Sequence, residues 1–348
     1  MSAPKGEPSM SASSPLTGVI LLNMGGPDSL SAIRPFLAQL FSDRELIRLP
    51  LAPLTQPLFA WIVSGLRARH VRKYYEEIGG GSPIAELTNR QRAALEEALG
   101  ETGGNFRVYV GMRYWHPRAK HAVLEMKEDG VARAIALPLY PQYCAATTGS
   151  SLSDLRKCMR WAGADFPLTE IRSWPDHPGY IAALCAKIEK TREGTPDTGK
   201  THLLFSAHGV PRSFIDGGDP YQVEVEKTVA AVRKHLPAIS HSISYQSRLG
   251  RTEWLKPDTV EEVIRLGREG VKRLIVVPVS FVSDHIETLH ELDIRLRKSA
   301  REAGIVTFLR VPALNDSPAF IGALKEIVLA RLAGDTRSTG NRNSGVSP

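Results

Sequence analysis

The sequence predicts an α/β protein made of two similar halves, each with a four-stranded parallel sheet between helices. Short runs of apolar and β-branched residues alternate with segments of helical periodicity, which is typical of sheets built by crossover connections. The runs fall into two groups of four with similar spacing along the chain. The 348 residues also exceed the roughly 250–300 residues that one hydrophobic core usually serves. We therefore expect two doubly wound domains.

The candidate strands are the eight apolar runs, each bounded by turn-forming or polar residues. The first group comprises Val19–Met24, Phe106–Met112, Ala134–Tyr140 and Leu168–Arg172. The second group comprises His202–Ala207, His241–Gln246, Arg273–Ser280 and Ile305–Val311. The first strands of the two groups lie further apart than the others, and the extra length is an insertion at residues 27–90.

Segments with helical periodicity lie between these strands. They include Arg90–Leu99, Arg118–Glu128, Pro220–His235, Thr259–Gly267 and Ile286–Arg301. We expect a first domain at residues 16–172, a second at 173–314, and a C-terminal helix at about 315–333 that packs back on the first domain. The polar ends, residues 1–15 and 335–348, are predicted to be disordered tails.

Composition limits the function classes. With 42% apolar and 23% charged residues, the chain is typical of a soluble globular protein. The net charge of +7 suits an acidic partner, which leaves nucleic acid, an anionic membrane surface or a carboxylated ligand. The sequence contains no RNP-like, zinc-finger or helix-turn-helix pattern, so we expect no nucleic-acid partner.

Cysteine usage indicates a reducing compartment. The three cysteines, Cys144, Cys158 and Cys185, are odd in number and none forms a CxxC pair, which argues against a disulfide framework or a four-cysteine cluster. The first 15 residues lack the apolar core of a signal peptide. We expect a cytoplasmic protein.

The insertion contains an apolar stretch, Leu49–Val63, followed by the basic residues Arg67, Arg69, His70, Arg72 and Lys73. The stretch is shorter than the ~20 residues that span a bilayer, and its three prolines disfavour a regular spanning helix. Apolar surface beside basic residues suits the edge of an anionic membrane, or a pocket for a hydrophobic molecule with carboxylates. An ordinary helical hairpin with a solvated basic face fits equally well.

Candidate site residues follow the strands, because ligands of doubly wound sheets bind beyond the carboxyl ends of the strands. His208 follows the strand His202–Ala207 and precedes Gly209. Histidine titrates near neutrality and is a good ligand for ferrous iron. A purely structural hydrogen bond from the same position remains an equal alternative.

A second polar segment follows the strand Arg273–Ser280. Asp284 and Glu287 have the spacing of a capping box, which would give Glu287 a structural role at the start of a helix. Glu287 and Glu291 also lie along one face of that helix. Carboxylates that enter a cleft are costly to desolvate unless they bind a cation or carry protons.

Trp254, after the strand His241–Gln246, could stack on a flat ligand or could anchor a helix. No GxGxxG or Walker A pattern follows any strand, which argues against nucleotide use.

The chain resembles the ferrochelatase family through several long segments in the same order. These are LLNMGGPDSL (21–30), IGGGSPI (78–84), GMRYWHP (111–117), PLYPQYCAATTGSS (138–151), FSAHGVP (205–211), YQSRLGRTEWLKP (245–257) and SDHIETLHELDI (283–294). The resemblance runs from about Gly18 to Leu332. It implies a chelatase fold of two Rossmann-like domains with a porphyrin cleft between them.

It also implies the reaction, a terminal step of haem biosynthesis: a lyase inserts ferrous iron into protoporphyrin IX, giving haem and two protons. Iron is then a substrate, and no prosthetic group is expected. By the resemblance, His208 is the residue that binds the metal and takes protons, and Glu287 is the carboxylate facing it from the opposite wall of the cleft. The further residues that it implies are a polar proton or metal path of Asp284, His285 and Glu291, and porphyrin contacts from Met24, Arg67, Ser82, Arg113, Tyr114 and Trp254.

Two departures from the family refine this interpretation. Some members carry an iron–sulfur cluster whose cysteines lie partly in a C-terminal extension; here no cysteine follows Cys185, so no cluster is expected. Related enzymes that use coproporphyrin tend to carry tyrosine near the position of Met24, so we expect the protoporphyrin type.

Other interpretations remain open at this point. A porphyrin or haem carrier with the same cleft, or a sister chelatase for cobalt and another tetrapyrrole, would share these motifs. We expect a monomer or homodimer in the cytoplasm, with peripheral contact to the inner face of the membrane through residues 49–73.

Overall fold

The computed structural model describes residues 14–47, 51–194, 201–248, 250 and 252–340, with only the backbone for Ala52, Leu54 and residues 335–340. Most of the two expected terminal tails therefore lies outside the described residues. The last helix nevertheless runs to Gly340, so the C-terminal tail expected from residue 335 begins as helix.

Two four-stranded parallel sheets form the centre of the described chain. The first contains β1 (Thr17–Asn23), β2 (Phe106–Met112), β3 (Arg133–Pro138) and β4 (Leu168–Glu170). The second contains β5 (Thr201–His208), β6 (Ser240–Gln246), β7 (Arg273–Pro278) and β8 (Thr307–Arg310). All eight predicted strands are present, because continuous apolar runs suit strands covered on both faces. The predicted fold class is confirmed.

The two sheets have equivalent strand orders, β2-β1-β3-β4 and β6-β5-β7-β8. In each sheet the chain leaves the first strand toward one edge and then returns to the other side. The direction therefore reverses between β1 and β3, and between β5 and β7. Such a switch point is where doubly wound sheets bind their ligands, beyond the carboxyl ends of the strands.

Eleven α-helices and two π-helices surround the sheets in the described chain. The α-helices are α1 (Ile33–Phe41), α2 (Ala52–Glu77), α3 (Ile84–Gly100), α4 (Ala119–Glu128), α5 (Ser150–Ala162), α6 (Pro178–Glu193), α7 (Arg212–Asp216), α8 (Tyr221–His235), α9 (Thr259–Arg268), α10 (Arg297–Glu302) and α11 (Pro318–Gly340). The π-helices, with i→i+5 hydrogen bonds, are π1 (Ala145–Gly149) and π2 (Glu287–Leu296).

The largest core cluster joins the two halves. It takes Val19 and Leu21 from the first sheet, Phe205 and Ile275 from the second, and apolar side chains of α3, α6, α8 and α11. The outer faces are covered separately, by α4 and α5 on the first sheet and by α9, π2 and α10 on the second. The C-terminal helix α11 packs against α3 of the first half and against α6.

The insertion forms a helical hairpin of α1 and α2, which pack together around Phe36, Phe41, Ala60 and Tyr75. α2 has 26 residues in spite of its prolines, since Pro53 lies in the first turn and only Pro57 lies inside. No described helix combines the length and the apolar run needed to cross a bilayer.

Candidate active site

The switch point of the second sheet brings the two main candidates together. His208 is the last residue of β5, and the loop after β7 leads directly into π2, whose first residue is Glu287. Because β5 and β7 are neighbours in a parallel sheet, their carboxyl ends emerge side by side. His208 Nδ1 lies 2.8 Å from Glu287 Oε2. The two side chains are 35% and 16% exposed, so the pair is only partly accessible.

This contact determines the role of each imidazole nitrogen. The Glu287 carboxylate accepts a hydrogen bond, so His208 Nδ1 carries the proton that is donated. Within the described part of the chain no group bonds Nε2, which therefore holds the lone pair of the neutral ring. Tyr221 fixes the backbone behind it, since its hydroxyl donates to the His208 carbonyl at 2.8 Å. His208 thus directs its basic nitrogen, Nε2, away from Glu287.

Burial and charge oppose each other in this pair. Burial lowers the pKa of His208, but attraction to the Glu287 carboxylate outweighs it, and the pKa is raised above the ordinary 6.5. Burial likewise favours the protonated form of Glu287, but His208 holds the pKa of that carboxyl below its usual range. Near neutral pH the pair is therefore a carboxylate beside an imidazole that is readily protonated.

Ser247 connects Glu287 to a second carboxylate, that of Glu291. The sequence did not lead us to select Ser247 as a site residue. Its hydroxyl lies 2.6 Å from Glu291 Oε2 and 3.2 Å from Glu287 Oε2. Its backbone has φ of 67°, a left-handed conformation that non-glycine residues rarely adopt. Ser247 directly follows β6, so the rule that selected His208, the position after a strand, could have found it.

The pKa of Glu291 shifts in the opposite direction to that of Glu287. Burial, and then repulsion from the Glu287 carboxylate, raise the pKa of Glu291. Both residues lie on π2, where i→i+5 bonding puts more residues in each turn and brings residues four apart close to one line. The two carboxylates joined by Ser247 therefore form a track that leads away from His208.

The capping-box interpretation of Glu287 is wrong. The helix begins at Glu287 itself, and no side chain caps it. Its carboxylate bonds His208 and Ser247 instead. Asp284 accepts from Thr288, Arg310 and Asn315 and lies outside the cavity lining described below.

His285 lies beside Glu287 with one nitrogen in use. Its Nδ1 bonds the Ser283 carbonyl at 3.0 Å, and its Nε2 lies 4.0 Å from Glu287 Oε2 without a hydrogen-bond partner. Burial lowers the pKa of His285 more than the carboxylate raises it, so the ring is neutral at pH 7. The Nε2 atom of His285 therefore carries a lone pair beside the Glu287 carboxylate.

A cavity of about 1,640 Å³ opens in front of these groups. It exceeds the ~300–1,000 Å³ of common small-ligand pockets and is lined by both halves and by the helical hairpin. The predicted residues that line it are Met24, Arg67, Ser82, Arg113, Tyr114, His208, Trp254, His285, Glu287 and Glu291. The sequence expectation that His208 and Glu287 form opposite walls is wrong, because a separation of 2.8 Å leaves no space for a ligand between them.

Arg113 and Tyr114 reach the cavity wall, but their polar groups bind a residue that the sequence did not indicate. Buried Asp43 accepts from the Tyr114 hydroxyl at 2.6 Å and forms an ion pair with Arg113 Nη2 at 3.0 Å. It also accepts from the Ser150 hydroxyl and from the Glu45 amide. Asp43 follows α1, so this cluster ties the hairpin to the end of β2.

Comparisons with known proteins decide the family. The sequence model of the family described as Ferrochelatase matches residues 16–332. The chain belongs to the ferrochelatase family. A ferrochelatase of Geotalea uraniireducens (strain Rf4) is 48% identical over 312 residues, which cover 90% of this chain and 97% of the relative. A ferrochelatase of Synechocystis sp. (strain ATCC 27184 / PCC 6803 / Kazusa) is 47% identical over 323 residues, 90% of this chain and 82% of the relative.

A solved structure supports the fold alone. SirB from Bacillus subtilis, determined with Fe³⁺, has a TM-score of 0.56 at 10% identity and covers 92% of this chain and 97% of its own. With its family established, the protein is a ferrochelatase of haem biosynthesis, a lyase that inserts a metal ion into a porphyrin.

Proposed function

We propose that the substrates are ferrous iron and protoporphyrin IX, and that His208 and Glu287 are the catalytic pair. The observation that carries this proposal is the contact between an imidazole and a carboxylate on the wall of a cavity large enough for a macrocycle. Insertion replaces two pyrrole N–H protons by one Fe²⁺, so the site must remove two protons and deliver one dication. The pair contains one proton acceptor and one anionic ligand.

The cavity would bind and distort the macrocycle. Met24, Tyr114 and Trp254 supply apolar and aromatic surface from both halves, and Arg67 on α2 supplies positive charge for carboxylates. Binding energy gained over the whole porphyrin can be used to bend it, which exposes the pyrrole nitrogens. The motif LNMGGP has Met24 near the position where related enzymes that use coproporphyrin tend to carry tyrosine. This supports protoporphyrin over coproporphyrin as the substrate.

His208 takes the pyrrole protons in this proposal. Its Nε2 lone pair is available because Nδ1 donates to Glu287, and each proton taken up forms an imidazolium that Glu287 stabilises. The first proton must leave before the second arrives. Ser247 and Glu291 offer an exit, since Glu291 has a raised pKa and lies within hydrogen-bond distance of the serine hydroxyl. The neutral His285 beside Glu287 belongs to the same path.

Glu287 also receives the iron. Carboxylate oxygen and imidazole nitrogen are both suitable ligands for Fe²⁺. Among the described residues no group of three or more His, Cys, Asp or Glu side chains could hold a metal ion. A pair of ligands binds iron weakly enough to release it to four porphyrin nitrogens.

The test is an anaerobic insertion assay with ferrous iron, run with protoporphyrin and coproporphyrin side by side and followed by the absorbance bands. We expect turnover, faster with protoporphyrin, and a loss of about 10²–10⁴-fold in kcat for His208→Ala. Equal rates for wild type, His208→Ala and Glu287→Gln would refute the site. Porphyrin binding without turnover would indicate a carrier, and preference for cobalt with another tetrapyrrole would indicate a sister chelatase.

The hairpin is proposed to contact an anionic membrane surface. On α2 the exposed residues Leu58, Trp61, Ile62 and Leu66 recur at helical spacing and form one apolar face. The Arg34 guanidinium lies over the Trp61 ring at 5.4 Å, and Arg67, Arg69, Arg72 and Lys73 follow on the same helix. Apolar surface with flanking cations is the pattern of interfacial helices.

Vesicle flotation tests this contact. The wild-type protein should float with vesicles of anionic phospholipid and less with zwitterionic vesicles, and Trp61→Ser should lose flotation. Trp161→Ser is the matched control, because Trp161 on α5 is 61% exposed and Trp61 is 64% exposed. Equal flotation of the two variants would contradict the proposed surface.

A further inference from the structure

The loop that delivers Glu287 to His208 is held from behind by a buried polar network. This loop, residues 281–286, joins β7 to π2, and Asp284 lies at its centre. Asp284 Oδ1 accepts from Arg310 Nη1 at 2.8 Å and from Thr288 Oγ1 at 3.0 Å. Its Oδ2 accepts from Asn315 Nδ2 at 2.9 Å, and its amide donates to Asn315 Oδ1 at 2.9 Å. The carboxylate and the backbone of Asp284 are both bound.

Arg310 connects this loop to the body of π2. It is the last residue of β8, and its side chain is only 9% exposed. Besides Asp284, its guanidinium binds Asp293 Oδ2 through Nε and Nη2, both at 2.8 Å. Asp284 lies three residues before the first residue of π2 and Asp293 lies within π2. A planar fork of donors can hold both carboxylates at once, which a single ammonium group cannot reproduce.

The first half of the molecule supports the same loop. Gln91, fully buried on α3, donates through Nε2 to the Ser283 hydroxyl at 3.0 Å and to the Asn315 carbonyl at 2.9 Å. Asn315 has φ of 47°, a left-handed conformation, and its amide donates to the Val282 carbonyl at 2.7 Å. The loop is thus fixed to β8, to the segment after it and to α3.

We propose that Arg310 and Asn315 are positioning residues for the reaction, which act through Asp284 to place Glu287 against His208. This inference rests on the proposed function, because it concerns the same pair. Asp284 is the anchor of the loop and not part of the proton path. Its neighbours Ser283 and His285 line the cavity, whereas Asp284 does not and has both oxygens engaged by Arg310, Thr288 and Asn315.

The arrangement predicts an effect on rate rather than on substrate binding. None of Arg310, Asn315, Asp284 and Asp293 lines the cavity, so their replacement removes no direct contact to the porphyrin. The position of Glu287, in contrast, follows the loop. A misplacement of about 1 Å at a reacting group can cost about 10²-fold in rate.

The experiment compares Arg310→Gln, Arg310→Lys and Asn315→Gly with wild type in the anaerobic insertion assay. The concentration of active sites in each sample is measured by porphyrin binding. Glycine adopts the backbone of Asn315 without strain and removes only the side-chain amide. We expect kcat to fall about 10–100-fold in Arg310→Gln, less in Arg310→Lys and at least fivefold in Asn315→Gly. KM for porphyrin should stay within twofold. The control is Arg156→Gln, because Arg156 makes a paired contact to Glu170 at the end of β4, at 2.6 and 2.8 Å, away from the cavity.

The outcomes separate this inference from the proposed function. A wild-type protein that inserts no iron refutes the function. If wild type is active and the network variants match Arg156→Gln in kcat, the positioning role is overturned. A rise in KM with unchanged kcat overturns it as well, because that result assigns the network to porphyrin binding. If the Arg310 variants fail to fold, Asn315→Gly decides, since it keeps both ion pairs of Arg310.

Discussion

Replacement of Asp43 by alanine tests whether the hairpin is held on the body of the protein by one buried carboxylate. Asp43 is 4% exposed, accepts from Tyr114, Ser150 and Glu45, and forms an ion pair with Arg113. Removing one member of a buried ion pair costs about 3–5 kcal/mol, because the remaining charge loses its compensation. Arg113 keeps Asp154 at 3.7 Å and the Ser150 hydroxyl at 2.7 Å. We therefore expect a loss near the lower limit, about 3 kcal/mol.

The measurement is the free energy of unfolding from urea titration, with porphyrin affinity as a second readout. Affinity should fall, because α1 and α2 supply part of the cavity wall. The control Glu76→Gln removes an ion pair with Arg72 on the same hairpin, where both side chains are about half exposed, and should change stability by less than about 1 kcal/mol. A loss below about 0.5 kcal/mol in Asp43→Ala would refute the argument, since that is the range of neutral surface changes.

The difference in the free energy of unfolding between Asp43→Ala and wild type should also depend on pH. Burial raises the pKa of Asp43, but hydrogen bonds from Ser150 and Tyr114 and the charge of Arg113 outweigh it, so the pKa lies below the ordinary 3.8. A carboxyl with a lowered pKa in the folded state stabilises the protein above its unfolded pKa, and this contribution is lost as pH falls through the folded pKa. The destabilisation should therefore be constant near neutrality and shrink below about pH 3.8.

Two further predictions concern His208 and its surroundings. Because only neutral His208 accepts a proton and its pKa is raised above 6.5, kcat/KM should increase with pH, with a midpoint above 6.5. In Glu287→Gln the burial of His208 remains without that carboxylate, so the midpoint for the residual activity should move to lower pH. An unmoved pH profile would contradict this. Gly209→Ala should lower the free energy of unfolding by about 1–3 kcal/mol and reduce kcat, because a Cβ would lie 2.7 Å from the Gln246 carbonyl oxygen. The control is Gly322→Ala on α11, where a Cβ meets nothing within 4 Å. It should stabilise the protein by about 0.5–1 kcal/mol in the same urea titration.

The sequence was most informative where a pattern is local. Continuous apolar runs predicted all eight strands, because strands that are buried on both faces must be apolar along their length. The position after such a strand selected His208, and the family motifs added Glu287. The same rule applied to β6 would have selected Ser247, which carries the hydroxyl between two carboxylates.

Residues whose partners lie far along the chain were not predictable in this way. Only the Glu45 amide binds Asp43 locally, and the other residues that bind it, Arg113, Tyr114 and Ser150, come from other elements. The capping-box spacing predicted that Asp284 and Glu287 cap one helix together, but Glu287 bonds His208 and Ser247. Arg310 and Asn315, which are remote in sequence, bind Asp284 in addition to Thr288. A spacing rule considers neighbours on one helix, whereas a buried charge is stabilised by whichever opposite charge the fold brings to it.

The sequence by itself determined the fold class, the two equivalent sheets and the family, because these depend on periodicity and on contiguous motifs. Only the tertiary structure decided that His208 and Glu287 touch on one wall rather than face each other across a cleft. It also decided that Glu287 and Glu291 line the cavity, whereas Asp284 bonds Arg310, Thr288 and Asn315 outside the lining. The physical reason is that both depend on adjacency between strands that are remote in sequence, which follows from strand order and from the packing of the halves around one core.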